Sequence, residues 1–313
     1  MELISVLMPT YNVERFVGEA VESILNQTWT NFEFIIVDDC STDRTYDILK
    51  KYAAKDSRIR LFRNDINSKI CKTLNRALSQ AKGQFIVRMD GDDISEPTRF
   101  EKLYNYLERH KDVDLIGSDL ITIDEDDHEV GRTTRLRNDK AIRMGNHYIS
   151  SVAHSWMTRR EVYDKLDGYR NIPYAEDYDL LLRGELQGFR YANLNEYLYR
   201  MRIRTGNTVS TNGLVQRKTV SYVKYLHRLE SKDMKNHFEE QEYRNFISCT
   251  EEEKKKYYDA ALILDRAIKN KKNKKDMLFY TVKAALSSSY VFSYLIDAVA
   301  VRIIKQMEIR GLL

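Results

Sequence analysis

Residues 90–93 read Asp90-Gly-Asp-Asp93, and a second acidic pair stands at Asp38-Asp39. Each follows a short apolar run, Gln84-Phe-Ile-Val-Arg-Met89 and Phe32-Glu-Phe-Ile-Ile-Val37 respectively. Five carboxylates brought together in a cleft of low dielectric repel strongly. A divalent cation is the simplest remedy, and closely spaced Asp oxygens suit Mg²⁺ or Mn²⁺. For Asp90–Asp93 alone the alternative is an acidic, solvated loop. A third pair, Glu176-Asp177, opens a stretch of helical spacing. There a carboxylate can act as a general base, or the pair can simply cap a helix whose Leu180, Leu181 and Leu182 belong to the core.

The elements that must position these groups alternate two periods. Leu3–Met8, Phe32–Val37, Ile59–Phe62, Gln84–Met89 and Val113–Gly117 read as buried strands. Between them lie helices expected over Glu14–Gln27, from Ser41-Thr-Asp43 to about Lys55, near Cys71–Ala81, and from Pro97 to about His110. Such alternation implies βαβ units on a mostly parallel sheet, with ligands at the C-terminal strand ends. The acidic pairs and Pro9-Thr-Tyr-Asn12 fall at those ends. Antiparallel strands are expected near 120–134 and 189–202, a helix over Asp177–Gln187, and helices alone after residue 212. A boundary at 205–215 divides a domain over 1–210 from a helical extension over 211–313.

Composition narrows the classes. The 313 residues are 42% hydrophobic and 31% charged, which excludes a polytopic membrane protein and a disordered chain. The net charge of +4 conceals an asymmetry: residues 216–313 hold 20 Lys and Arg against 13 Asp and Glu, and the rest of the chain is slightly acidic. Three scattered cysteines with no CxxC spacing imply a reducing compartment. The first apolar run is stopped by Pro9 and lacks a basic flank, unlike a signal peptide. A cytoplasmic protein is expected.

The order ISVLMPTYN (4–12), SILNQT (23–28), VDDCSTD (37–43), Leu74-Asn75 before Ala81-Lys-Gly83, MDGDD (89–93) and Glu176-Asp177-Tyr-Asp-Leu180 resembles the inverting family 2 glycosyltransferases over residues 1–205. The resemblance implies a GT-A fold, a Rossmann-like, mostly parallel α/β sheet, here followed by the helical extension. It implies that Thr10, Tyr11, Asn12 and Glu14 lie along a nucleotide, with Tyr11 on the base. Asp39 would accept the uracil N3–H of a UDP-sugar donor, and Lys72 would contact base or phosphate unless it is merely solvated. Asp90 and Gly91 would lie at the ribose. Asp92 would bind the Mn²⁺ or Mg²⁺ that bridges the diphosphate, with Asp93 the next candidate. Asp177 would be the base, and Glu176 would orient the sugars or replace it. His154 matches an acceptor-side segment or is a packed histidine. One departure stands out: Arg202 occupies the position where many members have a metal-binding His, so either the metal has fewer protein ligands or Arg200, Arg202 or Arg204 reaches the diphosphate instead.

Other absences limit the reaction. There is no QxxRW and no run of 18 apolar residues, as a processive synthase would need. P-loop, GxGxxG and HExxH motifs are missing too. The expectation is single-sugar addition to a saccharide, carried on a polyprenyl diphosphate, in O-antigen or capsule assembly. A nucleotidyltransferase or a catalytically silent binding protein is the alternative. Arg266–Lys275 holds six basic residues and no acid, ahead of an apolar segment over Met277–Met307. This fits contact with an anionic membrane surface, or helical packing onto the catalytic domain or a homodimer partner. No recognition motif accompanies it, so nucleic acid is not an expected partner.

Overall fold

The computed structural model describes residues 2–204, 208–270 and 273–313. They form two compact units, Met1–Arg143 with Ser150–Thr205, and Met144–Ile149 with Gly206–Leu313. Residues 205–207 of the expected boundary, and Lys271 and Lys272 of the basic run, lie outside the described residues.

The first unit alternates strand and helix: β1 (Ile4–Thr10), α1 (Val17–Leu25), β2 (Phe32–Asp38), α2 (Thr45–Ala53), β3 (Ile59–Arg63), α3 (Lys69–Gln80) and β4 (Phe85–Arg88). Every residue of β1, β2 and β4 is buried, as a parallel sheet covered on both faces requires. Helix α1 buries Val17, Ala20, Val21 and Ile24, one helical face turned to the sheet. There follow β5 (Ile94–Ser95), α4 (Arg99–Arg109), β6 (Leu115–Ile123), β7 (Glu129–Thr133), α5 (Asp139–Asn146), β8 (Met157–Arg159), α6 (Arg160–Leu166), α7 (Glu176–Leu186) and β9 (Tyr191–Arg202).

The sheet runs β3-β2-β1-β4-β8-β6-β9-β5, with β7 on β6. Strands β1 to β4 are mutually parallel, and the order reverses beside β1. The crevice at such a reversal is where ligands bind in open α/β sheets. Two expectations need correction. The strand expected over 113–117 continues to Ile123, so residues 120–123 belong to it. The strand over 189–202 is parallel to β6 and antiparallel only to the short β5. Strand β8, three residues antiparallel to both β4 and β6, has no sequence expectation behind it.

The approach to β4 is closely packed. Glu33 accepts from Ser5 Oγ at 2.6 Å, from the Lys82 amide and from Arg60, and Gly83 N donates to Ser5 Oγ. A Cβ on Gly83 would sit 2.6 Å from Leu3 O and 2.7 Å from Ser5 N, both backbone atoms that cannot step aside. Gly83→Ala is expected to destabilise the protein by about 1–3 kcal/mol, read from urea unfolding; an unchanged midpoint would contradict this packing.

The second unit is helical: α8 (Thr208–Asp233), α9 (Glu240–Ile247), α10 (Glu251–Lys269), α11 (Lys274–Ser287) and α12 (Ser289–Ile309). A reciprocal capping box between Thr250 and Glu253 starts α10. Ala260, Ala284 and Val291 form a small core with Tyr257, Ile263, Leu264 and Leu295. No described helix is long and apolar enough to cross a membrane.

Candidate active site

The loop after β4 carries the densest charge. Asp90 Oδ2 and Asp93 Oδ2 lie 3.3 and 3.9 Å from His154 Nε2. Asp90, Asp93 and His154 thus present ligand atoms within 4.8 Å of one another, a set able to hold a metal ion. Asp92 stands beside them and pairs with Arg204 Nε at 2.6 Å. Burial and neighbouring Asp93 push the Asp92 carboxyl up to about 6, against the pull of Arg204. Gly91 keeps the loop close to β1: a Cβ there would meet Thr10 Cγ2 at 2.8 Å.

Beneath this loop lies Arg88, at the end of β4 and 4% exposed. Its guanidinium donates to Asp90 Oδ1 at 3.1 Å and to Glu176 Oε1 at 2.8 Å. Burial opposes the charge of Asp90, but Arg88 and then His154 outweigh it and lower its pKa. For Glu176 burial prevails over Arg88, Asp177 adds repulsion, and the pKa is raised. Asp177, next along α7, accepts from the Tyr178 amide and is close enough to act electrostatically on Arg88, Glu176 and His154. Buried Arg99 supports the arrangement from α4, donating to Arg88 O and Ser155 O at 2.7 Å each.

The five carboxylates do not all converge. Asp38 is fully buried and satisfied by Ser41 N and Oγ, Thr10 and Arg63. Asp39 turns to the start of α3, where Oδ1 accepts from Asn64 and Ser68 N and Oδ2 from Lys69 N. Tyr11 is half exposed. Asn12, at φ 50°, accepts from the Thr42 amide. Glu14 accepts from Arg44 N while its own amide donates to Asp43, so these side chains tie the loop after β1 to the start of α2. Lys72 is exposed on α3.

The Arg202 side chain is taken up within the fold. Its guanidinium is 1% exposed and donates to Asp92 O, Asp124 O, Asp127 and Glu19, while its amide donates to Asp93 Oδ1. Arg200 pairs with Glu96. The Arg204 guanidinium pairs with a carboxylate of the acidic loop, Asp92.

The family described as Glycosyl transferase family 2 matches residues 5–167. The chain is a family 2 glycosyltransferase. Among its relatives, the putative glycosyltransferase EpsE of Bacillus subtilis (strain 168) is 40% identical over 204 residues, covering 64% of this chain and 72% of that one. The O-antigen biosynthesis glycosyltransferase WbnJ of Escherichia coli is 30% identical over 258 residues, 80% and 94% of the two chains. Residues 1–349 of S. aureus TarS, solved in complex with UDP, share the fold at a TM-score of 0.59 and 19% identity over 99% of this chain and 92% of that one. The GT-A architecture expected from the sequence is therefore present.

Sequence reasoning about this glycosyltransferase missed Arg88 and Arg99, and it offered His154 as an acceptor-side or packed residue without joining it to Asp90 and Asp93. A signal for Arg88 existed: an arginine inside a short apolar strand is buried only if paired, and Asp90 follows two residues later. Nothing local announces its second partner, Glu176, 88 residues away.

The acidic loop is a liability to the fold. An Asp92 titrating at about 6 holds a proton that an unfolded chain releases near its ordinary value of 3.8. Stability therefore falls as pH rises from about 4 to 6, and the loss persists above that window. Asp92→Asn is expected to raise the stability of the metal-free protein by about 1–2 kcal/mol at pH 7.5 and to change it little at pH 4. Thermal unfolding at the two pH values checks this; a destabilised variant at pH 7.5 contradicts it.

Proposed function

We propose that this transferase moves one sugar per encounter from a UDP-sugar to a saccharide carried on a polyprenyl diphosphate, with inversion, in the assembly of a bacterial surface polysaccharide such as O-antigen or capsule. The observation that carries the reading is the gathering of Asp90, Glu176 and Asp177 around buried Arg88, where the strand order reverses. The relative named for O-antigen biosynthesis supports the acceptor class. The neighbour solved with UDP supports the donor. Such an acceptor would be met at the inner face of the cell membrane.

In this reading Tyr11 packs on the base, with Thr10, Asn12, Glu14 and Lys72 bordering the nucleotide. Asp39 Oδ2, which accepts one amide hydrogen bond, has a lone pair left for a uracil N3–H. Asp90 and Gly91 lie at the ribose. Asp177 takes the proton of the acceptor hydroxyl as its oxygen bonds the anomeric carbon, on the face opposite the departing UDP, which leaves with the electron pair of the broken C–O bond. Glu176, held by Arg88, orients the sugars. Asp92 is the proposed ligand of Mn²⁺ or Mg²⁺, with Asp90, Asp93 and His154 beside it; the ion would supply Lewis-acid stabilisation of the leaving diphosphate.

The test is donor turnover across UDP-, GDP- and dTDP-sugars with Mn²⁺, first as slow hydrolysis. UDP-sugars are expected to be preferred. Asp177→Asn is expected to slow transfer by roughly 10²–10⁴-fold with donor affinity changed only a few-fold, and Asp92→Asn to weaken Mn²⁺-dependent turnover. Absence of binding and hydrolysis with all three donor classes, or wild-type UDP release in both variants, would overturn the reading.

A further inference from the structure

We propose that α11 and α12 dock the chain on an anionic phospholipid surface through two apolar stripes that lie in the plane of the headgroups. On α11, Leu278, Phe279, Val282 and Leu286 are between 49% and 85% exposed; on α12, Phe292, Ile296, Val299 and Ile303 are all about half exposed. At 100° per residue each set of four falls on one side of its helix. The inward sides are occupied otherwise: Ala284 and Val291 are buried in the small core, and Ile304 is buried as well.

Charge selects the occupant. From Met277 to Ile296 the one charged residue is Lys283. Lys274, Lys275 and Asp276 precede this stretch, and Asp297, Arg302, Lys305, Glu308 and Arg310 follow it, so with Lys283 the bases outnumber the acids six to three. The acid at its far end, Asp297, is tied to Lys224 at 2.8 Å. The stripes therefore combine exposed aromatic and aliphatic side chains with basic borders, the arrangement of a helix lying on an anionic interface. A membrane span is excluded for these helices by their length and polarity. A coiled coil with a second copy fits less well. The regular 4-3-4 spacing of α12 covers fewer than two heptads before Gln306 and Arg310, short of the three or four that a zipper needs.

This deepens the membrane-borne acceptor reading and rests on it, yet it is measured separately. The full chain is sedimented with vesicles of phosphatidylcholine alone and of phosphatidylcholine with about a third phosphatidylglycerol, a fraction large enough for a surface potential to act. The expected result is partitioning at least roughly tenfold stronger on the anionic vesicles, weakened by salt. Phe279→Asp with Phe292→Asp is expected to abolish it while circular dichroism and UDP-sugar hydrolysis stay unchanged. Lys274→Glu with Lys275→Glu is expected to weaken it several-fold and flatten the salt dependence. The proposal fails if neither vesicle binds, if both bind equally, or if the Phe double variant binds like wild type. It also fails if light scattering finds a dimer that the Phe double variant splits into monomers. Loss of vesicle binding with hydrolysis intact refutes the docking face alone; vesicle binding without donor turnover refutes the transferase reading alone.

Discussion

A buried guanidinium must be matched by charge at its own location, and in this protein that requirement falls on Arg88. Its two carboxylate partners are far apart in sequence, Asp90 from the loop after β4 and Glu176 from the first turn of α7. Removing one partner would leave a buried charge uncompensated, which costs far more than the pair contributes when intact. The acidic loop and the helix that presents Asp177 are thereby held in one register. Arg99 extends the constraint by fastening the Arg88 carbonyl to that of Ser155, one residue from His154. Geometry that resembles a set of independent acidic motifs in the sequence is one network centred on a cation.

The legibility of the fold follows from this contrast. Strands such as Ile4–Thr10 and Phe32–Asp38 are buried on both faces, so their apolar runs announce them, and helix α1 shows its inward side through period alone. The acidic motifs were visible as residues, but their directions were not. Asp38 and Asp39 are adjacent to one another and to the cleft, yet Ser41 and Thr10 draw the first inward, and the amides of residues 68 and 69 draw the second aside. Arg202 stands where a histidine is usual, and the sequence offers it only as one of three arginines, with Arg200 and Arg204, for a diphosphate. Its partners Glu19, Asp124 and Asp127 lie on a helix and one loop that no local pattern links to it. Partners distant in sequence are where sequence reading stops.

The asymmetry of charge also acquires structure. In the first unit, acids exceed bases slightly, and several acids stand where burial and mutual repulsion disfavour their charge, as at Asp92. That is tolerable in a site whose occupant brings positive charge of its own, and it places function and stability in opposition. In the second unit the surplus of base borders helices whose apolar side chains remain at the surface. The first unit carries an excess of carboxylates, the second an excess of cations and exposed hydrocarbon.

Strand β8 has a consequence for how the chain is made. It is the neighbour that covers the outer edge of β4, and it bridges β4 to β6. On a ribosome, residues 85–88 therefore emerge about 70 residues before the strand that will protect them. At about 5–20 residues per second, the parallel half of the sheet spends several seconds with an open, apolar edge. Unpaired edges of this kind recruit foreign strands. The vulnerable interval in the life of this enzyme is set by the position of a three-residue strand, and it closes when Met157 arrives.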